Sequence, residues 1–207
     1  MERYLYFGSL GAHERQYAVP QFVGLALTPA HDREIAHDLL TPLPFEDGSI
    51  AKIQAQDVLE HQPFDRLPFV LDEIWRVLKP GGVFRLSVPD YRHPIHKRRS
   101  IYDARGRVIG DLLMGASAWL DGGDARVRFA GDGEAHVWFP RYELITHLIL
   151  KSEIRKAQIK FHQGFLDDHT FLAEPFPENE MFVQRALPHD PRAGGQPVSI
   201  VADFFKS

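Results

Sequence analysis

The stretch RVLKPGGVFRLSVPD, from Arg76 to Asp90, changes its local rule twice. Just upstream and into it, Leu67, Val70, Leu71, Ile74, Val77 and Leu78 recur at three- and four-residue steps, which predicts one apolar face of a helix. Asp65 is the expected N-cap, and Pro68 falls in the first turn, where a missing N–H costs little. Lys79 stands where the helix dipole favours a cation. Pro80 cannot continue the helix, and Gly81-Gly82 supply the positive φ angles that reverse the chain. Val83 to Val88 then reads as a strand, and Pro89 ends its ladder for want of an N–H. Nothing in the stretch is reactive. Its role is to return a helix into a sheet.

Reading outward, Tyr4 to Phe7 is a short buried strand that stops at Gly8. Gln21 to Leu27 is a second, stopped by Thr28-Pro29. Arg33 to Leu40 is a weaker third, closed by Thr41-Pro42. Ser49 to Asp57 alternates apolar and polar residues and is a fourth. Short apolar strands followed by a helix, a tight turn and a strand give the rhythm of an α/β sheet. Ligands of such sheets bind beyond the carboxyl ends of the strands. Those ends carry Gly8, Leu27, Asp38, Asp57 and Asp90, so three of the five are acidic.

The rhythm breaks from about residue 91 to residue 138. This segment holds YRHPIHKRRS, a hairpin signal around Ala104-Arg105-Gly106, and a glycine-rich tract. It reads as a lid inserted into a single domain spanning residues 1–207. Helical spacing returns with Tyr142, Leu144, Ile145, Leu148 and Ile149 between Pro140 and Glu153. Ala157 to Phe161 and Val198 to Phe205 are further strands. Pro175 to Pro197 reads as a surface loop.

The 207 residues suit one domain, and 44% hydrophobic residues suffice for a core. A net charge of −4 gives no global attraction to nucleic acid or anionic membrane. The chain has no cysteine, which excludes disulfides, thiolate nucleophiles and Cys-ligated metal centres. No apolar run reaches the roughly 18 residues that a membrane span needs, and the first residues lack a signal-peptide pattern. The expectation is a cytoplasmic protein.

HDLLTPLPFEDGSIAKIQAQDVLEH, followed by EIWRVLKPGGVFRLSVPD, resembles the class I S-adenosylmethionine-dependent methyltransferases, and most of all their small-molecule "type 11" branch. Leu43-Pro44-Phe45, the strand ending in Asp57, Leu59-Glu60-His61 and Arg76 to Gly82 carry the likeness. The resemblance implies a Rossmann-like sheet of seven strands in the order 3-2-1-4-5-7-6, with strand 7 antiparallel. It implies S-adenosylmethionine as methyl donor, held by Gly8, Ser9 and Gly11 of the first turn, Thr28 at the second strand end, Asp38 and Leu39 at the third, and Asp57 at the fourth. It also implies a small-molecule or glycan intermediate as methyl acceptor. The donor's sulfonium already activates the methyl, so positioning and dehydration carry most of the catalysis and a general base is optional.

The sequence departs from the family pattern at two donor contacts. Leu10 stands where a second glycine belongs, and Leu27-Thr28 replace an acid for the ribose diol. A methyltransferase fold that no longer binds the donor, serving as a binding module, is therefore the alternative. Asp57 and His61 are the candidate catalytic residues, with a packing or capping role for His61 as the competing reading. Asp90, Tyr91, Arg92, Arg98 and Arg99 are candidates for an acceptor bearing an anionic group, because arginine forks suit such groups. A solvated loop is the plainer account of that cluster. Trp119, Trp138, Phe139 and Tyr142 either line an acceptor pocket or pack the lid. No metal site is expected: His31, His37, His93 and His96 match no ligand spacing. The partner expected is the acceptor alone, without nucleic acid or membrane, and a homo-oligomer stays open.

Overall fold

The computed structural model describes residues 2–131 and 133–207. In chain order the elements are β1 (Tyr4–Phe7), β2 (Phe22–Ala26), β3 (Glu34–Ala36), β4 (Ile50–Gln56), α1 (Leu67–Val77), β5 (Leu78–Pro89), α2 (Pro94–Lys97), β6 (Ser100–Tyr102), β7 (Val108–Asp111), β8 (Ala116–Asp121), β9 (Asp124–Phe129), α3 (Tyr142–Leu150), β10 (Gln158–Phe165), β11 (Phe171–Ala173) and β12 (Ser199–Phe205). The main sheet runs β11-β10-β12-β5-β4-β1-β2-β3. From β3 to β5 all neighbours are parallel. The late strand β12 lies antiparallel between β5 and β10, pairing Ser199 with Pro89 and Phe205 with Val83. This is the seven-strand order implied by the resemblance, extended at one edge by β11.

The turn after α1 differs in detail from its sequence reading. The helix starts at Leu67, after a 3-10 turn over Phe64–Arg66, and Asp65 does not cap it. Of the two glycines only Gly81 takes a positive φ, of 75°. Gly82 is needed for closeness instead: a Cβ there would lie 2.8 Å from the Lys79 carbonyl oxygen and 3.0 Å from that of Ala51. The turn therefore stays in the sheet, and β5 is continuous from Leu78.

The two faces of the sheet are covered differently. Leu5, Phe7, Ile53, Ala55, Leu86 and Val88 pack on α1 and α3 in one large apolar cluster. The opposite face has no long helix among the described residues, because the β1–β2 link is only a 3-10 turn at Arg15–Ala18. The proline-rich segment, read from sequence as a surface loop, covers that face instead. It follows β4 residue by residue. Glu180 pairs with Lys52, the Phe182 carbonyl accepts from Gln54 at 2.7 Å, and the Gln184 N–H donates to Gln56 at 3.0 Å. Its own Met181, Val183, Ala186 and Ala193 are buried. Arg85 anchors it, donating to the Met181 carbonyl and, through two 2.7 Å bonds, to Asp203.

The insertion contains two hairpins, β6–β7 and β8–β9. Its far end is tied back to the sheet by three bonds: the Val137 N–H to the Glu60 carbonyl, Trp138 Nε1 to the Leu59 carbonyl, and His61 Nδ1 to the Ala135 carbonyl at 3.2 Å.

Candidate functional site

The carboxyl end of β1 turns at Gly8, whose φ is +92°; a Cβ there would press on Val58 at 3.1 Å. Leu10, two residues on, does not project over the turn. It is fully buried against Tyr4, Tyr6 and Phe22 on the strapped face. Gly24 in β2 makes room for it, since a Cβ at Gly24 would fall 3.0 Å from that of Leu10. The Leu10 N–H donates to Glu34 Oε1 at 2.6 Å, and the Ser9 hydroxyl donates to the same oxygen at 2.8 Å. The Ala30 N–H donates to Glu34 Oε2 at 2.7 Å. Burial pulls the Glu34 pKa upward, but these donors outweigh it and hold the carboxyl below its usual range. Gly11 is half-buried. Leu27 and Thr28 are exposed at the end of β2. Asp38 is exposed and accepts the Leu40 N–H at 2.9 Å, while Leu39 is buried in the core.

The carboxyl end of β4 is a different environment. Asp57 has a φ of +53°, a strained conformation for a non-glycine residue. Burial pushes its pKa up to about 6, against the opposing pull of Arg185 and Arg192. One carboxylate oxygen lies 3.3 Å from Arg185 Nε, and the other, Oδ1, is buried with no hydrogen-bond partner. The next turn, Leu59–His61, carries Glu60 with no exposed surface and neither oxygen bonded. Burial first, then the charge of Asp57, drive the Glu60 pKa well up. His136 from the far end of the insertion, also buried, places Nε2 3.7 Å from Glu60 Oε1. Its ring lies edge-on to that of His61, 4.8 Å between centroids.

Asp90 and Tyr91, read as acceptor ligands, hold the insertion in place instead. Asp90 is buried, accepts the Arg92 and Phe165 N–H groups, and is pushed up to about 6 by burial. The Tyr91 hydroxyl donates to Asp111 at 2.6 Å and lies 2.7 Å from His136 Nδ1. The arginines do not converge. Arg92 pairs with Glu143 and Arg99 with Asp111, and Arg98 donates to the Pro94 carbonyl. Trp138 and Phe139 are buried, Tyr142 packs on Phe161, and Trp119 is exposed on β8. An apolar cavity of about 370 Å³ opens between the insertion and α3, lined by Phe64, Ile109, Phe129, Val137, Trp138 and Leu144 among others. A second, of about 390 Å³, opens beside His61 and is lined also by Met114, Gly115 and Gly133.

Sequence reading missed Glu34, Glu60, His136 and Arg185. Glu60 stood inside a quoted motif without a role. His136 and Arg185 come from segments far away in the chain that no spacing rule connects to β4.

Residues 18–86 match the family described as "Methyltransferase domain". One curated relative, a "Probable S-adenosylmethionine-dependent methyltransferase" of Mycolicibacterium smegmatis, is 42% identical over 57 residues. That match covers 28% of this chain and 21% of the relative, so the chain spans well under two thirds of that protein's length. A SAM-dependent methyltransferase of Thermotoga maritima superposes with a TM-score of 0.56 at 14% identity, covering 100% of this chain and 83% of that one. One of Methanosarcina mazei gives 0.54 at 14% identity, covering 99% and 92%. This is the class I methyltransferase fold.

The family implies S-adenosylmethionine, and the residues fit that donor at the Gly8 turn and at Asp57. The first is a cradle that a side chain would fill, and the second offers an unpartnered buried oxygen. At the end of β2 the exposed polar side chain is Thr28 rather than an acid, and the Leu10 N–H is taken by Glu34.

Proposed function

We propose that this chain is an S-adenosylmethionine-dependent methyltransferase acting on a small molecule or glycan intermediate in the cytoplasm. The observation that supports it best is Asp57: strained, half-buried and with Oδ1 buried and unpartnered, beside the left-handed Gly8 at the ends of adjacent strands. Backbone strain of about 1–3 kcal/mol persists where surrounding structure enforces it, and it clusters at functional sites. In this reading Gly8, Ser9 and Gly11 line the methionine part of the donor, Thr28 meets the ribose, and Asp38 and Leu39 border the adenine. The bound donor supplies a methyl already activated by its sulfonium. Asp57, with its pKa near 6, holds a proton or accepts one close to neutral pH. His61, whose pKa burial depresses, stays neutral and faces the cavity beside it as the candidate base. The cavity under Trp138 is apolar and suits the carbon part of an acceptor.

Calorimetry with S-adenosylhomocysteine tests the reading. Binding by the wild type, weakened about tenfold or more in Asp57→Ala, supports it; a lost hydrogen bond to a charged group is worth about 1.5–3 kcal/mol. No binding by the wild type overturns it. A donor-free binding module is the second reading, and Glu34 favours it, because its carboxylate takes the Leu10 N–H and the Ser9 hydroxyl for itself.

A further inference from the structure

Glu60 presents a problem of chemistry. Its carboxyl has no exposed surface, and neither oxygen has a hydrogen-bond partner. An unpaired buried carboxylate is among the costliest groups a protein can carry. Protonation would remove the charge but leave an O–H and a carbonyl equally unpaired, since His136 Nε2, at 3.7 Å, is beyond hydrogen-bond reach.

The two histidines beside it are held in one tautomer. The Tyr91 hydroxyl gives its proton to Asp111 at 2.6 Å. His136 Nδ1, 2.7 Å from the same hydroxyl oxygen, must therefore donate to it. That leaves a bare lone pair on Nε2, which is buried and unpartnered. His61 Nδ1 donates to the Ala135 carbonyl, with the Glu134 backbone also against the ring, so the neutral ring carries its lone pair on Nε2. One ligand atom from each of Glu60, His61 and His136 lies within 4.8 Å of the others. The backbone fixes the arrangement, because the Glu60 carbonyl accepts the Val137 N–H and the Leu59 carbonyl accepts from Trp138.

We propose that Glu60, His61 and His136 bind a divalent first-row transition metal ion, with zinc the best match. A cation at the centre gives a Glu60 oxygen and both imidazole lone pairs a partner at once. Two imidazoles and a carboxylate suit zinc and its neighbours rather than magnesium or calcium. Each His has its second nitrogen fixed by an outer partner, as metal-bound histidines do. Three protein ligands leave a position open, and His61 borders the 390 Å³ cavity from which water or an acceptor hydroxyl can enter. A hydroxyl bound there would lose its proton more easily. The metal site does not depend on donor binding, but a metal-bound His61 has no lone pair left to act as base, so in the loaded protein the metal-bound water or hydroxyl takes that role.

The test uses full-length protein stripped with EDTA and titrated with ZnCl₂ and, separately, CoCl₂. One equivalent of each should bind, and Co²⁺ should give the visible bands of a nitrogen–oxygen site. His61→Ala, a half-exposed position outside the core, and Glu60→Gln should each weaken binding at least about tenfold. Tyr91→Phe, which removes the hydroxyl orienting His136, should change the Co²⁺ spectrum while still binding. Substoichiometric uptake by the wild type in large metal excess would overturn the proposal. So would unchanged affinity in His61→Ala, which would point to another pair such as His189 with Glu178. If Glu60→Gln fails to fold, His61→Ala decides alone.

Discussion

The carboxyl ends of β1 and β4 are neighbours in the sheet, yet they treat their polar groups in opposite ways. Beyond β1, the Glu34 carboxyl is buried and fully bonded, by the Leu10 N–H, the Ala30 N–H and the Ser9 hydroxyl. Beyond β4, Asp57 Oδ1, both oxygens of Glu60 and His136 Nε2 are buried and unbonded. A satisfied carboxylate is structural cement. An unsatisfied buried cluster is a cost that calls for a partner such as water, an ion or a ligand, or for a catalytic role. The comparison sets a saturated carboxylate that braces the first end against unsatisfied groups at the second.

The largest effect should come from removing the cement. Glu34→Ala leaves two backbone N–H groups without their acceptor, and unfolding in urea should show a loss of about 3 kcal/mol, at about 1–3 kcal/mol for each unsatisfied group. The matching change beyond β4 should have the other sign. In metal-free protein, Glu60→Gln removes an ionisable group from a site where charge is unwelcome, and it should be neutral or stabilising by about 1 kcal/mol. A loss as large as that of Glu34→Ala would erase the distinction between the two ends.

Acidity separates them again. The Glu34 pKa is depressed, so the stability it contributes is present above the unfolded value of 4.5 and is lost as pH falls through the folded value. The Asp57 pKa is raised from 3.8 to about 6, so its folded form prefers the proton, and its contribution falls as pH rises across that window. Asp57→Asn should therefore raise the slope of stability against pH by up to about 1.4 kcal/mol per unit between those values. Chemical denaturation from pH 4 to pH 6 measures it, and an unchanged slope would count against a half-buried, proton-binding Asp57. The smallest effect belongs to Thr28. Thr28→Ala removes one exposed hydroxyl and should weaken S-adenosylhomocysteine binding by about fivefold, the equivalent of about 1 kcal/mol.

The fold was legible where the signals are local. The helical period from Leu67 to Leu78, the glycine turn and the late β-branched strand Val198 to Phe205 each follow from neighbouring residues, whereas the sheet order was implied only by the resemblance to the methyltransferases. Leu10 was not legible. Its type suggested an obstruction over the donor turn, and only the gap above Gly24 shows where the side chain goes. The proline-rich strap was read as a surface loop because prolines remove ladder donors. Its buried Met181 and Val183 lie two residues apart, but Ala186 and Ala193 do not continue that alternation. At the site, Asp57 and His61 could be nominated from the motif around them. Their partners Arg185 and His136 are joined to them only by the closure of distant segments.

The most direct test of the account is a crystal of the wild type grown with saturating S-adenosylhomocysteine. The account predicts density for the ligand beyond β1 and β4, with its amino-acid part at Gly8 and its adenine toward Asp38. A groove without density under those conditions, or ligand bound only elsewhere on the surface, would contradict it.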